Sequence, residues 1–174
     1  MEQCAICGGS LTVVKDQPYN YTQSGLNVIL IGLPQYTCDS CKEKFTPIPN
    51  PENLHRIIAL DICKNKKALL MPDEIKFLRK ELHLKAKELA RVMGADPSVI
   101  SRWENGKKTI GEASDRLLRA ICLAGIDDTC QSENHVAKTV NIFSNLPRKR
   151  KVFEGPHSIS LNPVDWMIPT ACSC

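Results

Sequence analysis

Two Cys-x-x-Cys pairs constrain the first part of this chain more than any other feature. Cys4 and Cys7 form the first pair, and Cys38 and Cys41 form the second after an interval of thirty residues. The segment around them, residues 1–48, is too short to bury the apolar surface that would hold a fold by itself. We therefore expect a cross-link among these four cysteines to stabilise it.

The spacing of the four cysteines predicts a closed site for one structural Zn²⁺ ion. Each Cys-x-x-Cys turn presents two sulfurs on one side of a tight loop, and two turns supply four tetrahedral ligands with no position left for a substrate water. Gly8 and Gly9, which follow the first pair, suit a backbone that folds closely around the metal. The alternatives are an iron–sulfur cluster, buried core cysteines or a redox pair, although a thioredoxin-like motif needs a surrounding βαβ pattern.

The remaining cysteines do not indicate a disulfide framework. The chain has nine cysteines, and an odd number argues against full pairing. We find no signal-peptide pattern and no apolar run of about 18 residues, so we expect a cytoplasmic protein with reduced thiols and no membrane partner. Cys130, Cys172 and Cys174 could chelate a second metal, but a disordered tail is the preferred interpretation of this end.

The pattern of apolar residues predicts an α+β multidomain protein. The stretches LTVVKDQ and LNVILIGL are typical of strands, with a hairpin between them at Gly25 and the polar pair before it. The proline-rich stretch TPIPNP then marks a boundary, after which the periodicity becomes helical. The predicted segments are a β-rich Cys4 zinc-binding domain at residues 1–48, a linking helix at 49–72, a helical domain at 73–126 and an irregular C-terminal extension of unknown role at 127–174.

Four short helices are predicted in the helical domain, each with its own end signals. PDEIKFLRKEL is capped by Asp73, and KAKELARVM is closed by Gly94. DPSVISRWEN has Asp96 as N-cap and Pro97 at the first helical position. GEASDRLLRAICLA is closed by Gly125.

The second and third of these helices have the spacing of a helix-turn-helix. Ala90 is small enough for the helices to approach, Gly94 turns the chain, and Ile100 fills the angle between them. Val99 and Trp103 are expected to face the core with Ile100. In such a unit the N-terminal half of the second helix enters the DNA major groove. The residues expected to contact DNA are Lys85, Lys87, Pro97, Ser98, Ser101, Arg102, Lys107 and Lys108.

The charge distribution supports a polyanionic partner for this segment. Residues 74–126 contain eleven Lys and Arg against seven Asp and Glu, an excess equal to the net charge of +4 of the whole chain. The planar Arg102 side chain can donate twice to a guanine, and the lysines are placed for phosphates. One recognition helix covers few base pairs, so we expect a homodimer on a palindromic operator in double-stranded DNA.

Residues 74 to 125 resemble the phage-repressor (Xre-type) helix-turn-helix family through the runs ELARVMG and ISRWENG. The resemblance implies an all-α, lambda-repressor-like domain and an ion pair between Arg79 and Glu104. Family members often begin the second helix with Ser or Thr followed by Gln, whereas this chain has Lys85 and Ala86 at those places. A lysine would then replace the usual phosphate contact.

Residues 1–125 resemble a narrower group, the MqsA (YgiT-type zinc-finger) antitoxins, through CAIC, the run from VVKDQ to CDSC, the next helix and the helix-turn-helix. The resemblance implies that the zinc domain binds a partner toxin, an mRNA-cleaving enzyme. It also implies a dimeric C-terminal domain that represses the toxin–antitoxin operon at a palindrome. Arg102 matches a base-reading arginine of the group, but Ser98 stands where the group has Asn, so the operator sequence should differ.

We therefore expect a non-enzymatic, zinc-containing transcriptional repressor, either a type II antitoxin or a toxin-less relative. The alternative is a protein-interaction scaffold in which the helical domain serves dimerisation. An enzyme is disfavoured, because the sequence offers neither an open metal shell nor a nucleophile with partner groups. The basic run at residues 148–151 fits a phosphate-binding arm and a solvated loop equally well. The four histidines are scattered and expected at the surface: His55, His83, His135 and His157.

Overall fold

Two small sheets and five helices make up the described part of the chain. The computed structural model describes residues 3–15, 17–48, 50–126 and 157–161. A small sheet region with the four cysteines precedes the helices, which confirms the predicted α+β class. The strands are β1 (Leu11–Val14), β2 (Tyr19–Tyr21), β3 (Val28–Ile31), β4 (Gln35–Cys38), β5 (Lys44–Phe45) and β6 (His157–Ser160). The helices are α1 (Pro51–Asn65), α2 (Pro72–Glu81), α3 (Ala86–Met93), α4 (Pro97–Glu104) and α5 (Glu112–Ile126).

The strand pairing differs from the predicted hairpin. The turn with Gly25, at a φ of 78°, joins β2 to β3, whereas β1 pairs antiparallel with β4. The sheet orders are β1-β4-β5 and β2-β3-β6. Pro18 separates β1 from a short second strand that the sequence did not signal, so the strand before the turn is Tyr19–Tyr21. Pairing of Leu11 with Cys38 brings the second cysteine turn beside the first.

Helix ends follow the predicted signals at Gly94, Asp96 and Pro97. The Asp96 side chain accepts a hydrogen bond from the Ser98 N–H at 2.8 Å, and Pro97 begins α4. Gly94 ends α3 in the left-handed conformation, with a φ of 63°. Local chemistry therefore determines the borders of the α3–α4 unit.

The predictions for Asp73 and Gly125 were wrong. Helix α2 is capped at Met71, whose N–H donates to the Glu74 carboxylate at 2.7 Å, because Glu74 lies three residues into the helix and reaches back. Helix α5 continues through Gly125 to Ile126. A Cβ at Gly125 would lie 2.8 Å from Leu82 Cδ2, so this glycine serves close packing rather than termination.

One contiguous apolar core joins the β2-β3-β6 sheet to all five helices. The buried face of α1 contains Leu54, Ile58 and Ile62, and this helix contacts α2 and α5. Helix α1 is thus an integral part of the core as well as the connection between the cysteine-rich segment and the later helices. The segment boundaries at residues 48 and 72 stay predictions.

A buried network of charged side chains hydrogen-bonds to the backbone at the C-terminal end of α1. The Arg119 guanidinium donates to the Asp115 carboxylate at 3.0 Å and to the carbonyls of Ile62 and Ala68, each at 2.9 Å. The other Asp115 oxygen accepts the Leu70 N–H at 2.8 Å. Both side chains of the ion pair are fully buried. The pair therefore satisfies carbonyls that the end of a helix leaves without intrahelical partners.

A second buried ion pair extends this network along the α1–α2 connection. The Lys66 ammonium lies 2.7 Å from the Glu74 carboxylate, with side chains 3% and 9% exposed. Arg119 also donates to the Lys66 carbonyl at 2.9 Å. Within the described residues, these four side chains are the buried charged ones: Lys66, Glu74, Asp115 and Arg119.

The C-terminal extension contains a strand that sequence reasoning missed. Residues 127–174 were interpreted as irregular, but His157–Ser160 forms β6 and pairs in parallel with β3. Each residue of β6 pairs with a residue of β3 that lies 129 positions earlier in the sequence, so no local pattern signals the pairing. Other predictions for this region lie outside the described residues: the strand at VNIF, the basic run at 148–151, His135, Cys130, Cys172 and Cys174.

No helix within the described ranges is both long and apolar enough to cross a membrane.

We expect Arg119→Ala to lower the free energy of unfolding by about 3–5 kcal/mol, because it leaves the Asp115 charge buried without a partner. Urea unfolding followed by circular dichroism measures this loss. Arg91→Ala, an exposed arginine on α3, is the matched control and should change stability by no more than about 0.5 kcal/mol. Equal effects of the two substitutions would contradict a structural role for the network.

Candidate metal centre and helix-turn-helix surface

The four predicted cysteine ligands lie together at one end of the β1-β4-β5 sheet. Their sulfurs are all within 4.8 Å of one another. The Sγ atoms of Cys4 and Cys41 are 3.7 Å apart, and those of Cys7 and Cys38 are 3.4 Å apart. A tetrahedral site with Zn–S bonds of about 2.3 Å needs sulfurs about 3.8 Å apart. The cluster is therefore already close to the size that one tetrahedral metal ion requires.

The two cysteine turns have the same backbone geometry. The residue after each second cysteine, Gly8 or Lys42, has a positive φ of 71° or 62°. Its N–H donates to the carbonyl of the first cysteine of that turn, at 2.8 Å in the first turn and 3.0 Å in the second. In both turns the first cysteine donates its own N–H, at 2.9 Å, to the carbonyl five residues later. The arrangement aims both pairs of sulfurs into one space.

Gly9 allows the two turns to approach each other. A Cβ at this position would lie 2.5 Å from Ser40 Oγ and 3.2 Å from Cys38 Sγ. The Asp39 N–H also donates to the Ser10 carbonyl at 3.0 Å, which ties the second turn to the first. The close approach expected of the glycines after Cys7 is thus found at Gly9, whereas Gly8 supplies the positive φ.

The donor set favours a cation among the sulfurs. The pKa of Cys38 is lowered to about 6, chiefly because the Cys41 N–H donates to its sulfur at 3.5 Å. The Glu43 N–H favours a thiolate at Cys41, but the Cys38 sulfur and the loss of hydration oppose it and raise the Cys41 pKa to about 12. Deprotonation of a second cysteine in the cluster is therefore unfavourable without a cation. A divalent cation would stabilise all four thiolates together.

No second cluster of metal-binding side chains occurs within the described ranges. His55, expected at the surface, is instead partly buried between the sheet and the helices. Its Nε2 lies 2.8 Å from the hydroxyl of Tyr21, and its Nδ1 lies 3.4 Å from the Glu81 carboxylate. Burial raises the pKa of the Tyr21 hydroxyl. A single histidine on an otherwise amphipathic helix carries no sequence signal for such a contact.

Helices α3 and α4 pack against each other across the turn at residues 94–96. Ala90 and Ile100 are buried, and so is Trp103, which is 5% exposed. Val99 is half-buried against the same core. The side chains expected to face inward therefore do so.

An ion pair joins the end of α4 to α2. The Arg79 guanidinium donates to both carboxylate oxygens of Glu104, at 2.6 and 3.1 Å, and to the Leu84 carbonyl at 2.9 Å. Both charged side chains are largely buried. The pair implied by the resemblance to phage repressors is present, and it fixes the position of α4 at its C-terminal end.

The exposed side of α4 carries an arginine held along the helix. The Arg102 guanidinium donates to the Ser98 hydroxyl at 2.8 Å and to the Ser98 carbonyl at 3.3 Å. One turn later, the Asn105 amide donates to the Ser101 carbonyl at 2.7 Å, a contact that sequence reasoning did not identify. Every residue expected to contact DNA is exposed: Lys85, Lys87, Pro97, Ser98, Ser101, Arg102, Lys107 and Lys108.

The backbone after Gly106 is engaged within the protein. The N–H groups of Lys107 and Lys108 both donate to the Arg102 carbonyl, at 2.9 and 3.2 Å. Gly106 has a φ of 68° and makes this turn at the end of α4. The two ammonium groups, rather than these N–H groups, are therefore the donors open to a phosphate.

Comparison with known proteins places these features in one family. Residues 1–123 match the family described as the antitoxin component of bacterial toxin-antitoxin systems, MqsA. A curated relative, antitoxin MqsA of Escherichia coli (strain K12), is 27% identical in an alignment of 125 residues, and the match covers 68% of this chain and 91% of that protein. The matched region contains the cysteine cluster, both cysteine turns and the α3–α4 unit. The chain belongs to the MqsA antitoxin family.

Proposed function

We propose that this chain is a sequence-specific DNA-binding repressor whose four N-terminal cysteines hold one structural Zn²⁺ ion. The observation that carries the DNA-binding part is the orientation of α4. Ile100 and Trp103 anchor one side of this helix in the core, while Ser98, Ser101 and Arg102 are exposed on the other. A helix presented in this way can enter a major groove with its N-terminal half.

In the proposed complex, Arg102 reads a base and the lysines bind the backbone. The guanidinium lies beside the Ser98 hydroxyl at the start of α4, from where it can donate twice to a guanine. Lys85 and Lys87 flank the start of α3, and Lys107 and Lys108 follow α4, so phosphates on either side of the groove would have cationic partners. Two such units in a homodimer would read the halves of a palindrome.

The proposed zinc ion has a structural role. Four protein thiolates complete its coordination shell, so no position is left to activate water, and we propose that the chain is not an enzyme. Bound zinc would stabilise the folded cysteine turns and the β1–β4 pairing next to them. Reduced thiols in a cytoplasmic location would favour metal binding over disulfide formation.

We further propose that the cysteine-rich segment binds a toxin protein in a type II toxin–antitoxin module. Large apolar side chains are exposed here: Ile6 is 72% exposed, Val13 43% and Phe45 39%. The Phe45 ring stacks on Tyr36, with ring centroids 5.3 Å apart. Apolar surface of this kind is typical of protein–protein contacts.

We expect Cys38→Ser to abolish stoichiometric zinc binding, because it removes one of four ligands from a closed shell. Elemental analysis of the purified chain should give one zinc per wild-type chain and a loss in the variant. Cys63→Ala is the control, since Cys63 is a buried thiol on α1 outside the cluster. Retention of zinc by Cys38→Ser, or loss of zinc in Cys63→Ala alone, would refute this assignment of ligands.

We expect Arg102→Ala to weaken binding to the operator by about 1–3 kcal/mol and to relax the preference at one base pair of each half-site. Lys108→Ala is the matched comparison. Because Lys108 is expected to contact a phosphate, its removal should weaken binding to all sequences alike. It should also reduce the slope of log K against log salt concentration by about one.

Fluorescence anisotropy with DNA from upstream of the chain's own gene, and with single-base variants of it, separates the two effects. Identical base preferences in wild type and Arg102→Ala would remove Arg102 as a reader. Binding to none of these DNAs at any salt concentration would favour the scaffold interpretation over a repressor.

A further inference from the structure

The outer edge of β3 is covered by a strand from beyond the family match. That match ends at residue 123, whereas β6 begins at His157. The pairing runs in register from Val28 with His157 to Ile31 with Ser160. The Leu161 N–H then donates to the Ile31 carbonyl at 2.8 Å. A segment outside the matched region thus supplies backbone partners to the edge of a sheet inside that region.

The side chains of this strand alternate between the core and solvent. Ile159 and Leu161 are 4% and 6% exposed and belong to the main apolar core, while Ser158 and Ser160 are exposed. On the facing strand, Leu30 is fully buried. Alternation with a period of two is what a strand with one buried face requires. The contact therefore depends on the apolar side chains of Ile159 and Leu161 in addition to the backbone pairing.

Gly32 shapes the end of this edge for the incoming strand. It has a φ of 98°, and a Cβ at this position would collide with the Leu161 carbonyl oxygen. Gly32 lies within the family-matched region, on the accepting side of the pairing. The edge is therefore built to let another backbone approach closely.

A long connection separates this strand from the last helix. Helix α5 ends at Ile126 and β6 begins at His157, so thirty residues intervene. A parallel crossover needs only about a dozen residues. The segment at 157–161 is thus covalently joined to the core, so its pairing with β3 is intramolecular and competes with any separate strand.

We propose that the outer edge of β3 is a binding site for an extended peptide, and that residues 157–161 are a ligand that the chain supplies to itself. The site accepts a parallel strand with apolar side chains at alternate positions and small polar ones between them. The C-terminal extension therefore covers this edge and excludes other strands from it, including the same segment of a second copy. This role depends neither on DNA binding nor on a toxin.

The full chain tests the proposal with a fluorescent peptide that has the sequence of residues 155–163. In the double variant Ile159→Asp/Leu161→Asp, β6 loses its two core contacts and the edge becomes open. We expect this variant to bind the peptide at least about tenfold more tightly than wild type, in which the tethered strand competes. Ser158→Asp/Ser160→Asp, on the exposed face of the same strand, is the matched control and should behave as wild type. Adding Gly32→Val to the open variant should abolish binding.

Hydrogen exchange provides a second readout that does not depend on the double variant folding. In wild type, the amides of residues 157–161 and 28–31 should be protected together. In Gly32→Ala, which leaves the sequence of both strands intact, protection of 157–161 should fall while that of α5 is retained. Equal peptide binding by the open variant and wild type would overturn the proposal. So would exchange at 157–161 in wild type as fast as in the free peptide.

Discussion

The fully buried pair of Arg119 and Asp115 is the interaction on which the arrangement of the helices depends. Arg119 donates hydrogen bonds to carbonyls in the last turn of α1 and in the connection to α2, while Asp115 accepts a hydrogen bond from the Leu70 N–H. Neither charge has access to water, so each is stable in the core only through the other and through these backbone groups. One turn of α5 thereby determines where α1 ends and where α2 begins.

The exposed face of α4 takes its position from this arrangement of helices. Helix α2 carries Arg79, whose bidentate pair with Glu104 holds the end of α4 and with it the exposed face proposed to read DNA. Helix α1 carries His55, whose Nε2 hydrogen-bonds to the hydroxyl of the buried Tyr21 on β2 and so connects the helices to the β2-β3-β6 sheet. The cysteine turns close the other sheet through the pairing of β1 with β4. The apolar core therefore supports the helices and the β2-β3-β6 sheet.

Sequence reasoning succeeded where the signal is local. The spacing of Cys4, Cys7, Cys38 and Cys41 was sufficient to identify the cluster, because each turn needs only four residues to aim two sulfurs. The cap at Asp96 and the left-handed Gly94 were equally clear, since the residues involved are neighbours in the chain. The family resemblance then added the Arg79–Glu104 pair, which no single helix pattern contains.

Sequence reasoning failed where contacts between residues far apart in the chain determine the structure. The pairing of β1 with β4 rather than β3, and the docking of β6, depend on contacts between segments far apart in sequence, for which alternating patterns give no partner. Arg119 has the pattern of a surface residue on an amphipathic helix, and only the carbonyls at the end of α1 explain its burial. The start of α2 is a smaller example. Asp73 is the residue type preferred at an N-cap, but the helix begins after Met71, whose N–H donates to the Glu74 carboxylate.

The proposed repressor is a zinc-loaded dimer that reads a palindrome with two copies of α4. Hydroxyl-radical footprinting of the full chain on DNA from upstream of its own gene tests it most directly. We expect two protected half-sites about one helical turn apart, related by a two-fold axis, and no such protection on a scrambled sequence of the same composition. Uniform protection of both DNAs, or a footprint of one half-site alone, would contradict it.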